Sequence, residues 1–429
     1  MTYDSSTLSA EEFARACRQG LGRCVLALHR RPWRDFEGAV VDACLHHGGW
    51  DPQCECGRGQ YVMDLIDRTH AADELRDRII AALPTADGWD AEHQCEVIGR
   101  MARRGDAAAR AALYRRVREG TVSGNASGTH DLVELDGIAG LIEAARGVGR
   151  WLRGEATRWE DDRLVRAAEE AAGEAAVWHA LDAAAAADED VGAYVQAVRH
   201  SRMSRTEPRP KPTQQSFYEV RARLAANQTD LGYWVGMWGR RASDDDLAQA
   251  AREVLRAGDS AEAARWLRAF LHRPFPLGLE PLLPLAHSGN DNVAWAALGA
   301  LRNHAGPEVR AVAVECIGRG RVGLGEVRLL TRNFVDGDHR LVERAMALAT
   351  TDAQMHDVGH DALDVFAENP TAACEHAMLK LYERGPCSLC RNGAVERLKS
   401  HGLVPQWMAD ECVYDSYEET RTIMADRGG

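Results

Sequence analysis

Apolar residues recur at helical spacing through the carboxyl-terminal third of the chain: Val293 to Leu301, Val309 to Ile317, Val327 to Phe334, Leu341 to Leu348, Val358 to Phe366, Ala373 to Leu381 and Ala394 to Leu403. Each run returns every three or four positions, the period of one helix face. The starts fall roughly sixteen residues apart, the last interval being longer, so two helices make a unit of about 32 residues, a period of stacked helical pairs. Turn chemistry separates the runs at Gly306-Pro307, Asp336-Gly337-Asp338, Asn369-Pro370 and Gly385-Pro386. Nothing alternates with period two for long enough to predict a strand.

The amino-terminal half is also helical, with less regular phasing. Helices are predicted over 9–29, 33–47, 58–83, 90–118, 137–153, 157–200, 216–227, 229–239, 243–257 and 260–272, the longer ones breaking internally. Capping patterns at Ser9-x-x-Glu12, Thr157-x-x-Glu160 and Asp259-x-x-Glu262 mark three helix starts. Residues 120–137, polar and punctuated by glycine, read as a mobile connection. Pro208, Pro210 and Pro212 favour an extended segment between Ser201 and Gln215. The expected organisation is a helical half at 1–200, a Pro/Arg-rich linker at 201–215, and repeats with a carboxyl-terminal cap at 216–429.

The phrase Asp291-x-Val293, followed by small and apolar residues to Leu301, together with Pro307-x-Val309-Arg310-x-x-Ala313, resembles the HEAT-repeat family of α-solenoids. In that family a proline or aspartate opens a helix, and a Val-Arg pair precedes alanine and leucine positions that pack on the neighbouring repeat. The resemblance covers roughly residues 285–403. Ala294 stands where the first arginine is expected, and Leu341-Val342-Glu343-Arg344 displaces a later one. The resemblance implies an all-α, HEAT-like helical-repeat superhelix in two halves, with a concave helical face that holds a partner.

Composition narrows the setting. A net charge of -13 makes the average surface repel nucleic acid and anionic membranes, so either partner would require a local basic patch. The first residues lack the charged start and apolar core of a secretory signal, and no apolar run reaches membrane-spanning length. A cytoplasmic location is expected. Arginine far outnumbers lysine in an alanine-rich chain, which points to a bacterial source. The eleven cysteines, irregularly spaced, are expected as reduced, buried thiols.

Several clusters could carry chemistry. Cys387-Ser-Leu-Cys390 offers two thiols at a helix start, suited to structural packing, to half of a zinc site or to redox chemistry. Redox use lacks a strand-helix-strand context. Zinc needs further ligands, and Cys374, His376, His401 and Cys412 are the nearest along the chain. His46, His47, Cys54 and Cys56 lie within eleven residues; helix-end packing or a metal or catalytic site would use them. Arg30, Arg31, Trp33 and Arg34, with Trp234, Trp238, Arg240 and Arg241, either complement helix ends or line a surface that binds phosphates and stacks on bases. Trp407, Tyr414 and Tyr417 form an aromatic, acidic end suited to capping or to a partner patch.

There is no Gly-x-x-x-x-Gly-Lys loop and no Gly-x-Ser-x-Gly elbow. The first reading is therefore a bacterial cytosolic scaffold or adaptor that binds another protein, with no cofactor and no membrane association. The alternative is a HEAT-like nucleic-acid-binding protein, in the manner of the HEAT-like DNA glycosylases. A third is a metal- or thiol-dependent small-molecule enzyme using the His46 to Cys56 region.

Overall fold

The computed structural model of the chain describes residues 8–55, 57–120, 127–154, 160–206, 215–226 and 232–425. These are helices joined by turns, and no strand occurs among the described residues. No described helix is long and apolar enough to cross a membrane. Contacts divide the chain into two compact units, Met1–Pro210 with Gln406–Gly429, and Lys211–Pro405.

The first unit contains α1 (Ala10–Gln19), α2 (Arg23–Leu28), α3 (Glu37–Leu45), α4 (Gly59–Thr69), α5 (Ala72–Ala82), α6 (Gly88–Arg103), α7 (Ala107–Glu119), α8 (Thr129–Asp136), α9 (Ile138–Arg153), α10 (Arg163–Ala172), α11 (Glu174–Ala185) and α12 (Glu189–Thr206). Packing alternates along the chain. Helices α1, α3, α5, α7 and α9 form one succession of neighbours, and α2, α4, α6, α8 and α10 form the other. Helix α9 then packs along α12, burying Leu141, Val148, Leu164, Leu181 and Tyr194 in one cluster.

The longer predicted helices break internally as expected, and two other expectations change. The predicted helix over 9–29 breaks at Gly20, which ends α1 with a left-handed φ of 79°. The expected 157–200 helix is three helices, α10 to α12. Part of the expected mobile connection, 129–136, is α8, and 121–126 lie outside the described residues. The first part of the expected extended linker is helical, because α12 runs to Thr206; residues 207–214 lie outside the described residues.

The second unit contains α13 (Phe217–Ala226), α14 (Gly232–Arg241), α15 (Asp244–Ala257), α16 (Ala261–Leu267), α17 (Leu282–Ala286), α18 (Asp291–Leu301), α19 (Pro307–Gly318), α20 (His339–Leu348), α21 (Asp352–Glu368), α22 (Glu375–Arg384) and α23 (Ser388–Ser400). Helix α16 packs between α14 and α18, while α21 packs on a 3-10 turn at Val327–Leu330 and on α23. In the other succession α17 meets α19, α19 meets α20, and α20 meets α22.

Helix starts follow their caps. Ser9 and Glu12 form the expected reciprocal box, and Thr351 with Gln354 forms another. At the third expected site the cap is Ser260, whose hydroxyl accepts from the Ala263 amide; Asp259 instead accepts from the Ser288 hydroxyl at 2.6 Å. Thr157 lies outside the described residues.

An asparagine ladder joins the repeats of the second unit. Asn303, Asn333 and Asn369 each donate to a carbonyl of their own preceding turn and to one from the repeat before: Phe270 at 2.8 Å, His304 at 3.3 Å and Thr331 at 2.9 Å respectively. Asn333 also accepts from the Gly306 amide at 2.8 Å.

The carboxyl-terminal segment packs in the first unit, whereas the sequence grouped it with the repeats as their cap. It comprises α24 (Gln406–Cys412) and α25 (Glu418–Ala425). Buried Arg23 donates to Glu411 at 2.9 Å, the Ser416 amide donates to the Gly20 carbonyl at 2.8 Å, and Arg421 donates to Asp64 at 2.8 Å. A side chain at Gly22 would meet the Glu411 carbonyl oxygen at 1.9 Å, so only glycine permits this approach.

Replacing Asn333 with alanine leaves the Gly306 amide and His304 carbonyl without their side-chain partner. The expected cost is about 1–3 kcal/mol. Urea denaturation of the parent and variant measures it, and a change within about 0.3 kcal/mol would show that the ladder contributes little.

Candidate functional site

The amino-terminal arginine cluster is engaged internally. Trp33 is buried beneath the Arg34 guanidinium, 4.0 Å from its ring centroid. Arg34 pairs with Glu37 and Glu74, while Arg31 donates to the Leu8 carbonyl at 2.6 Å and to Asp35. Arg30 is exposed in the turn after α2. Trp407 and Tyr417 belong to the docked carboxyl-terminal segment, where Arg23 lies 5.9 Å from the Trp407 ring and Tyr417 is buried; Tyr414 is half-buried beside them.

The histidine cluster of the first unit encloses a cavity of about 20 Å³ lined by Cys17, His46, His47, Arg58, Tyr61 and His93. That volume suits a water molecule. His46 pairs with Asp90 at 2.7 Å, which raises its pKa. Burial, with His93 and Arg58 nearby, lowers His47 to about 4. His93 donates from Nε2 to the Ala43 carbonyl at 2.8 Å, leaving its buried Nδ1 without a protein partner. Cys54 is exposed, and Cys56 lies outside the described residues.

A larger cavity in the first unit, about 670 Å³, was not legible as a site. Trp89, Glu92, His130, Trp151, Glu160 and Asp161 line it from α6, α8, α9 and the turn before α10. Burial raises Glu92 and Glu160 above the usual carboxylate range, and burial beside Arg163 lowers His130. Two indoles and converging carboxylates suit a cationic ligand, with neutral His130 able to exchange a proton with it.

In the second unit, Trp238 is buried against Trp266 and donates from its indole to the Gln215 carbonyl at 2.8 Å. Trp234 is half-buried under Arg223, 4.2 Å from its ring centroid, and Arg240 and Arg241 are exposed at the end of α14. Arg268 lies 5.3 Å from the exposed Trp295 ring. Burial lowers the pKa of both His272 and Arg302, and neighbouring cations lower each further: Arg302 and Arg240 for His272, Arg328 for Arg302. Arg302, Arg328 and Arg332 line a cleft of about 330 Å³ together with Asp364 and Glu368.

The Cys387 and Cys390 thiols are buried at the start of α23, and the fold brings His356 of α21 to them. The ligand atoms of these three residues all lie within 4.8 Å of one another. None of the four candidates nearest along the chain joins this group. The signal for the missed partner is His356-x-x-x-His360, two imidazoles one helical turn apart.

The chain matches no family model, no curated protein and no solved structure.

Asp131, buried on α8, offers a pH test. Burial first, then Glu96 and Glu134, push it from 3.8 up to about 7. Between those values the folded state keeps a proton that the unfolded chain has released, so stability falls as pH rises through the window. The total is on the order of a few kcal/mol. Unfolding free energies measured from pH 4 to 8 should show this decline in the parent and a flatter profile in Asp131→Asn; parallel profiles would refute it.

Proposed function

We propose that this chain is a HEAT-like helical-repeat binding protein whose second unit recognises an acidic segment of a protein partner. The supporting observation is the aromatic and cationic side chains that α14, the 3-10 turn Arg268–Phe270 and α18, neighbours in one succession, bring to the surface or part-way to it. Tyr233 is 84% exposed on α14, with Arg240 exposed at the end of the same helix, and Trp295 is 40% exposed with half-buried Arg268 5.3 Å from its ring. Tyrosine, tryptophan and arginine dominate binding hot spots because they combine large apolar area with directed polar contacts. The cations select acidic groups, and the net charge of -13 weighs against an extended polyanion such as DNA.

A partner recovered by crosslinking from the native host should bind the purified chain directly. Trp295→Ser with Tyr233→Ser should weaken it by about 2 kcal/mol, about thirtyfold. Unchanged affinity would sink this surface. Salt-sensitive retention of DNA near physiological ionic strength would favour the nucleic-acid reading instead.

The cavity of about 670 Å³ supports a second reading, a small cationic ligand held between Trp89 and Trp151. Its volume lies within the ordinary range of ligand sites, and a bound cation offsets the burial that disfavours the charged forms of Glu92 and Glu160. Titration with simple polyamines should change tryptophan emission saturably in the parent and more weakly in Glu92→Gln. A linear, variant-independent response would exclude the site.

A further inference from the structure

We propose that His356, Cys387 and Cys390 form a zinc-binding site, with an exchangeable fourth position beside His360. The first argument is geometric. Zinc takes thiolate sulfur at about 2.3 Å and imidazole nitrogen at about 2.0–2.1 Å, so a tetrahedral site places sulfur and nitrogen about 3.6 Å apart. Cys390 Sγ lies 3.7 Å from His356 Nδ1, and Cys387 Sγ falls in the same compact group. An ion therefore fits among these atoms with side-chain adjustments alone.

The second argument concerns how the ligands are held. Cys387 is the N-cap residue of α23, where the positive end of the helix dipole favours a thiolate. Cys390 follows one turn later, the short spacing typical of paired zinc thiolates. Arg391 is fully buried, and its guanidinium donates to the carbonyls of Gly385 and Pro386 at 3.3 and 3.2 Å. That contact fixes the turn that delivers Cys387. His356 projects from α21, which packs directly on α23. Ligands thus come from two helices braced against each other, the arrangement that gives a site before the ion arrives.

The third argument sets the coordination number. His360 lies one turn beyond His356, with ring centroids 6.5 Å apart, and completes a His-x-x-x-His pair. Its Nδ1 accepts from the Arg328 guanidinium at 2.6 Å. Neutral His360 then carries its proton on Nε2, which suits a hydrogen bond to a molecule on the metal better than direct ligation. Two thiolates and one neutral imidazole balance the ionic charge of zinc at the site and leave one position for water or an exogenous donor. Soft sulfur ligands with imidazole favour zinc over magnesium or calcium.

The site is independent of the partner surface proposed above, and the test is direct. Full-length protein, reduced and stripped with a chelator, is titrated with Co²⁺ and then Zn²⁺. One Co²⁺ per chain should give the thiolate charge-transfer absorption and visible bands of a tetrahedral site, which Zn²⁺ abolishes. Cys387→Ser, Cys390→Ser and His356→Ala should each weaken uptake more than about tenfold, while His360→Ala retains it. Circular dichroism of each variant identifies misfolding, and the parent titration decides the matter regardless. Absence of a thiolate–cobalt band in the reduced parent overturns the proposal, as does undiminished uptake by folded Cys387→Ser. Loss of uptake on His360→Ala alone overturns the three-ligand assignment.

Discussion

Short helices leave their last carbonyls without intrahelical donors, and in this protein the neighbouring repeat supplies many of them. Arg116 donates to the carbonyls of Leu83 and Ala86, and Arg150 to that of Arg118. In the second unit Arg302 reaches Leu271, Arg321 reaches Ala286, Arg344 reaches Gly318, and Arg384 reaches Ala349. The asparagine ladder performs the same task with neutral amides. Arginine suits the position because one long side chain can satisfy two carbonyls and its charge complements the negative end of the helix. Each such bond contributes only about 1 kcal/mol, but leaving the carbonyls unpaired costs more.

Helix starts meet arginines in the same way. Arg76 pairs with Asp106, Arg202 with Asp162, and Arg310 with Asp338, each aspartate standing at an N-cap position. The exposed members of such pairs contribute little stability, so their effect is to set register between repeats. Much of the arginine content is therefore structural. An arginine exposed at a helix end, such as Arg240, acquires meaning against that background.

The helical period made the fold class legible, and local capping chemistry located α1 closely. What escaped the sequence was whatever depends on distant residues. Arg23 and Glu411 are 388 positions apart, and no local pattern links them. The polar, aromatic composition after Gln406 reads as a cap, but composition cannot say which unit it covers. Proline restriction likewise acts only on the residue immediately before it, so the prolines from 208 onwards give no reason for α12 to stop before Thr206. The large cavity is hidden for a related reason: Trp89, Glu92, His130 and Trp151 each look like ordinary helix-face residues until four helices bring them together.

The cysteine pair was legible and its histidine was not, because chain proximity is a poor guide when a whole helix, α22, lies between. The start of α23, like several others in the chain, carries no side-chain cap, and what sets it apart is the fully buried Arg391 beside it. An N-cap normally carries serine, threonine, aspartate or asparagine, whose oxygen accepts from the first turn. Ser9, Ser243, Ser260 and Thr351 follow that rule here. The α23 cap is Cys387, which makes no side-chain capping bond, so the helix forgoes about 1 kcal/mol that a serine would supply. Arg391 supports the preceding turn from within its own helix, whereas a neighbouring repeat usually provides that contact. A weaker cap held in place by a dedicated buried arginine is a departure from local consistency, and such departures concentrate where side chains serve chemistry rather than folding.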